Sequence, residues 1–194
     1  MSKIIFNESP LTSKKAAKEI MARIKCSKYY VEYGSGGSTL YATKYCKKVI
    51  SVESDPKFQR LIQKKVRNNC KVIYSNIGPT MEFGVPITND VNTFLNVNGR
   101  DYALTPWKFP ITPDLVLIDG RYRVLCLLTS FLKNKNNNCV YLFDDFFIRP
   151  YYEVVTEFSK ILKKVENLCV FKMKKNINED EIKKIIKLYE QDFR

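Results

Sequence analysis

The chain has 194 residues, with 33 Lys and Arg against 20 Asp and Glu, a formal net charge of +13, six cysteines and no histidine. That length suits one α/β domain with a real core, and no apolar run is long enough to span a bilayer. The lack of histidine excludes imidazole acid–base chemistry, and six cysteines with no Cys-x-x-Cys pair read as buried free thiols in a reducing compartment.

The charge excess is mostly lysine spread from Lys14 to Lys187, on the polar faces of amphipathic helices such as the one with Ile182, Ile185, Ile186 and Tyr189 on its other side. Solvated helix faces are therefore preferred over a nucleic-acid groove, with nucleic acid kept as the lesser partner and no membrane partner expected. The N-terminal stretch Met1 to Glu8 meets polar residues too soon for a signal peptide, so a soluble cytoplasmic protein is expected.

A helix is expected at about 12–25, then an apolar strand at 28–33 that carries Glu32 near its end. Gly34, Ser35, Gly36 and Gly37 make a tight turn, a helix follows at 38–47, and a second strand at 48–52 runs into Glu53 and Ser54. One βαβ unit thus carries a nucleoside site: glycines let a ligand approach the main chain, and the carboxylate after the second strand accepts hydrogen bonds from ribose hydroxyls. Thr39 stands where a dinucleotide fingerprint needs its third glycine, and no Gly-Lys-Ser/Thr follows a longer spacer, so neither NAD nor a phosphate loop fits.

Strands at 71–75, 114–118, 138–143 and 168–173 alternate with helices at 56–68, 121–134, 151–164 and 179–190. The pattern predicts a Rossmann-like α/β fold, a mostly parallel doubly wound sheet of six or seven strands with helices on both faces, as a single domain over 1–194. Residues 77–113 break the alternation with five prolines, three glycines, the aromatics Phe83, Phe94, Tyr102 and Phe109, and the only tryptophan, Trp107. They read as a substrate-side cover or as a plain crossover.

Asp119 ends the fourth strand and Asp144-Asp145 the fifth, and in a 1-4-5 strand order the three carboxylates converge beside the glycine turn. Gathered acids need compensation, either from a hard divalent ion or from Arg121, Arg123 and Arg149. Arg121 and Arg123 either grip an anionic group of a substrate or neutralise these acids.

Glu32-x-Gly34-x-Gly36-x-Ser38 resembles the first motif of class I S-adenosylmethionine-dependent methyltransferases. The resemblance implies S-adenosylmethionine as cofactor, its amino-acid part against Glu32, Gly34, Ser35, Gly36, Ser38 and Thr39. Its ribose would lie on Glu53, with Ser54 beside it, and its adenine near Asn76 and Ile77; Asp119 is also among the implied cofactor-binding residues. Ile118-Asp119-Gly120 and Asp144-Asp145 resemble metal-dependent O-methyltransferases, including sugar O-methyltransferases of antibiotic pathways. That likeness implies Asp119, Asp144 and Asp145 as catalytic groups and magnesium ligands, with a sugar or other small hydroxyl as acceptor. The sugar enzymes carry an acid two residues after the strand-four aspartate where this chain has Arg121, so the base falls to one of the three aspartates, to Tyr122 or to a lysine.

Pro10-Leu11-Thr12, Glu32 to Thr39, Asn76-Ile77-Gly78-Pro79-Thr80, Phe83-Gly84-Val85-Pro86, Asp114 to Val124 and Arg149-Pro150-Tyr151 together resemble a family of small, largely uncharacterised methyltransferase-like proteins. Its members usually carry His-Asp after strand five, where this chain has Asp144-Asp145. The expected activity is methyl transfer from S-adenosylmethionine to an acceptor oxygen, with Arg121, Arg123 and Trp107 on the substrate side. The alternative is an RNA-directed methyltransferase or a non-catalytic, cofactor-binding partner of RNA.

Overall fold

The structure is a computed structural model that describes residues 8–81, 84–87 and 99–194. Seven strands lie in the order β3-β2-β1-β4-β5-β7-β6: β1 Tyr29–Tyr33, β2 Lys48–Glu53, β3 Cys70–Tyr74, β4 Leu115–Ile118, β5 Val140–Phe143, β6 Ser159–Val165 and β7 Leu168–Met173. The first five are parallel, and β7 enters antiparallel between β5 and β6. The helices are α1 Lys14–Lys25, α2 Gly37–Tyr45, α3 Pro56–Gln63, α4 Gly99–Leu104, α5 Arg123–Lys133 and α6 Glu179–Tyr189.

Both faces of the sheet are covered, and strand alternation sorts side chains between them. Tyr30, Val49, Leu115, Leu117 and Leu142 pack with Ala16, Ile20, Leu40 and Ile62 of α1, α2 and α3. Val31, Tyr33, Ile50, Val116, Ile118 and Phe143 pack instead with Tyr102, Leu127, Phe131 and Ile182 of α4, α5 and α6. The two-sided burial explains why β4 reads Leu-Val-Leu-Ile with no polar position. Local signals fix the helix starts: Ser13 Oγ accepts from Ala16 N–H at 3.2 Å, and Asp55 accepts from Lys57 and Phe58 N–H ahead of a helix opened by Pro56.

Two expectations are corrected. Residues 151–164 form no α-helix: a 3-10 segment spans Pro150–Glu157, and the chain then becomes edge strand β6. Pairing with β7 through a two-residue turn, with Glu166 at φ 55°, overrides a lysine-rich pattern that mimics the polar face of a helix. Lysines along such an edge also discourage pairing with another chain. Within 77–113, expected to lack helix, α4 and a 3-10 turn Thr105–Lys108 form and bury Tyr102 and Ala103. Phe83 and Phe94 lie outside the described residues. Five of the six cysteines are buried, as small apolar residues are. No helix among the described residues is long and apolar enough to cross a membrane.

Candidate active site

The ends of β1, β2 and β4 meet at the glycine turn. Gly34 has φ +92°, its N–H donates to Val52 O at 2.9 Å, and a Cβ there would stand 2.9 Å from the Asp119 carbonyl carbon and oxygen. Gly120 answers it: a Cβ there would sit 2.9 Å from Gly34 N and 2.2 Å from the Tyr102 hydroxyl. These glycines let two main chains touch. Gly36 is different, since nothing lies within 4 Å of the Cβ it lacks. The open side of the turn is therefore at Gly36, and it leaves room for a ligand against the backbone.

Glu32 supports the turn from inside the core. It is fully buried and accepts from the Tyr30 hydroxyl at 2.8 Å, from Ser38 Oγ at 2.7 Å and from Thr39 Oγ1. Thr39 Oγ1 in turn accepts from Gly36 N–H at 2.8 Å. Burial pushes the Glu32 carboxyl up, and the surrounding hydroxyls pull the other way. Glu32, Ser38 and Thr39 thus shape the turn and do not line its open side. Tyr30 was legible only as a residue two positions from Glu32, and so on the same strand face.

Glu53, at the end of β2, bonds the turn's main chain directly. Its oxygens accept from Ser35 N–H at 3.1 Å, Ser54 N–H at 2.7 Å and Asp55 N–H at 2.9 Å. Burial pushes its carboxyl up, and the amides of Asp55, Ser35 and Ser54 oppose that rise. Ser35 Oγ and Ser51 Oγ share a 2.7 Å hydrogen bond, tying the turn to β2. Gly84 crosses over this corner at φ +68°, where a Cβ would reach 2.3 Å from Ser54 Oγ. After β3, Asn76 is exposed and closes its own turn by accepting from Gly78 N–H at 3.0 Å, while Ile77 is buried in the core.

The three aspartates do gather, around an arginine. Arg123 is buried at the start of α5 and reaches Asp119 Oδ1 and Asp145 Oδ2, each at 3.3 Å. It also donates to the main-chain oxygens of Gly120 at 3.0 Å and Asp144 at 2.6 Å. Arg149 meets Asp145 Oδ2 at 3.1 Å, and Thr12 Oγ1 donates to Asp144 Oδ1 at 3.2 Å. Thr12, 22 residues before Gly34, had no readable link to β5. Burial pushes Asp119 up to about 7, with Arg123 opposing and Asp144 and Asp145 adding to the rise. About 27% of its side chain stays accessible, so solvent screens part of that effect. Asp144 is also raised, by burial and then by Asp145.

This arrangement gives the magnesium expectation for Asp119, Asp144 and Asp145 no support. A guanidinium already bridges two of the acids, and with Arg149 on Asp145 it offsets part of their charge. Among the described residues no three acid or thiol side chains form a metal-binding group. Trp107 is likewise placed differently from the substrate-side role: its indole N–H donates to the buried Tyr33 hydroxyl at 2.9 Å, and that hydroxyl donates to Ala103 O at 2.6 Å. It anchors the segment after α4 to the sheet. Arg121, half-buried between Asp119 and α5, is in no ion pair among the described residues.

No family model matches the chain, and no curated protein matches its sequence. Among solved structures it is similar to a methyltransferase-like protein from Silicibacter pomeroyi DSS-3, at 28% identity and a TM-score of 0.80, over 94% of this chain and 97% of that one. A weaker likeness, to the N-methyltransferase NodS from Bradyrhizobium japonicum WM9, has 11% identity and a TM-score of 0.49 over 84% of this chain and 99% of that one, and carries no weight here. With the strand order, the glycine turn and the acids at the ends of β2 and β4, the first likeness shows that this chain has the fold of the class I S-adenosylmethionine-dependent methyltransferases.

Proposed function

We propose that the protein transfers a methyl group from S-adenosylmethionine to a hydroxyl of a sugar or another small acceptor. The observation that carries this reading is Asp119: its main chain packs against Gly34 of the glycine turn, and its carboxyl is pushed up to about 7. A carboxylate raised toward neutrality by burial and set beside a cofactor turn is suited to take the proton of an acceptor hydroxyl.

The residues fit the cofactor. Gly36 leaves open space at the turn, and Glu53 presents a buried carboxylate at the end of β2, where ribose hydroxyls find an acceptor. S-adenosylmethionine supplies a methyl group on a sulfonium, already a strong electrophile. What the chain must add is alignment of the acceptor and a place for its proton. Asp119 serves as that place, and Arg123 holds the carboxylate against the end of β5 through Asp145. As the proton arrives, Asp119 becomes neutral and Arg123 keeps its partner in Asp145.

An RNA-directed or non-catalytic RNA-associated role draws only on the net charge of +13. Tritium transfer from labelled cofactor into separate panels of sugars, nucleotide sugars, small phenols and RNA tests the choice. Label in a hydroxyl acceptor that disappears in Asp119→Asn supports the reading, whereas label in RNA alone, or none in any panel, contradicts it.

A further inference from the structure

Among the described residues, Arg121 is the one arginine of the acid cluster left without a partner. Asp119 and Asp145 are held by Arg123, Asp145 also by Arg149, and Asp144 by Thr12. Among the described residues, Arg121 Nε is the single buried side-chain nitrogen or oxygen with no hydrogen bond. The guanidinium groups of Arg123 and Arg149 act against its charge, and the phenols of Tyr102 and Tyr152 favour it. Burial lowers its pKa first and the Arg123 guanidinium next, so its positive charge is destabilised where it stands. A half-buried guanidinium beside two others, with a buried donor unused, costs stability unless something negative joins it.

We propose that Arg121 seats an anionic oxygen group, a phosphate or a carboxylate, carried by the methyl acceptor. The inference rests on the methyl-transfer reading for the word acceptor, and the anion seat itself rests on the geometry of Arg121. Its position suits the task, because Arg121 follows Asp119 by two residues on the loop whose main chain meets the glycine turn. The planar fork of a guanidinium matches either anion with two parallel hydrogen bonds. The two N–H groups next to Arg121 do not compete for that anion, since Tyr122 N–H, just before α5, donates to Phe193 O at 3.1 Å and Arg123 N–H, the first of the helix, to Arg194 O at 3.2 Å. The seat is therefore a side chain, and mutation can remove it without touching the helix.

Titration calorimetry of the full chain with inorganic phosphate and, separately, glucuronate tests this, at about 150 mM NaCl so that surface lysines are screened. The parent protein is expected to bind one of the two; phosphate alone points to a phosphorylated acceptor, glucuronate alone to a carboxylated one. Arg121→Gln should lose at least about tenfold in affinity for that anion, and Arg121→Lys, which keeps the charge but not the fork, should lose less. Without any anion, Arg121→Gln should melt no lower than the parent, because it removes an uncompensated charge. Binding of neither anion by the parent, parental affinity in Arg121→Gln, or failure of Arg121→Gln to fold would each overturn the proposal. S-adenosylhomocysteine affinity, measured in the same samples, should be the same in all three proteins. If it is absent from all three while the anion result holds, the methyl-transfer reading fails and the anion seat stands.

Discussion

Gly34 and Gly36 stand two residues apart in one turn and are glycines for different reasons. Gly34 needs a positive φ and space for the Asp119 main chain, so Gly34→Ala should destabilise the fold by about 2 kcal/mol or more in urea unfolding. Gly36 faces open space, so Gly36→Ala should unfold like the parent yet weaken S-adenosylhomocysteine binding. Equal cofactor affinity in Gly36→Ala would place the ligand elsewhere. Asp119 gives a second test. Its folded pKa of about 7 lies above the ordinary 3.8, so across that window the folded state holds the proton more tightly than the unfolded state. Stability should therefore fall as pH rises from about 4 to about 7, with the raised Asp144 adding in the same direction. Asp119→Asn should flatten part of that fall and lower methyl transfer about 100-fold or more, while the parent's kcat/KM should rise toward a plateau above pH 7. A pH-stability curve identical in the variant would remove the assignment. The sequence placed these residues correctly along the chain, but it could not separate a carboxylate spent inside the core, Glu32, from one at the corner of the turn, Glu53, because both are acids at strand ends.

At the scale of elements, Arg123 joins three of them: it opens α5 and reaches the ends of β4 and β5. Arg123→Ala would leave Asp119 and two carbonyl oxygens near the core without their donor, and Asp145 with Arg149 alone, and a loss of about 3–5 kcal/mol is expected in denaturant unfolding. Because that guanidinium holds the acids together, EDTA should leave the melting temperature unchanged, and a large drop on chelation would restore the metal reading. The sequence exposed the acid cluster and its arginines but not which cation lies among the acids, since that depends on a helix start and two strand ends meeting in space. The same limit produced the error over residues 151–164. Lys160, Lys163 and Lys164 mark a solvated face equally well on a helix or on an edge strand, and only the partner strand β7 decides between them.

At the scale of the molecule, the alternation of apolar strands and amphipathic helices was enough for the doubly wound sheet, because each central strand must be apolar on both faces. It was not enough for the acceptor, which depends on surfaces and on the segment around 77–113 more than on periodicity. The central claim is that the open side of the glycine turn, with Glu53 beside it, holds S-adenosylmethionine. In the proposed complex Glu53→Gln would weaken the hydrogen bonds to the ribose and set an amide NH2 against a main-chain N–H of Ser35 or of Ser54 and Asp55, for an expected loss of about 2–4 kcal/mol in binding. The most direct measurement is calorimetric titration of S-adenosylhomocysteine into the parent and into Glu53→Gln. The account predicts a dissociation constant on the order of micromolar for the parent and at least about 30-fold weaker binding for the variant. No binding to the parent, or equal affinity in the two proteins, would contradict it.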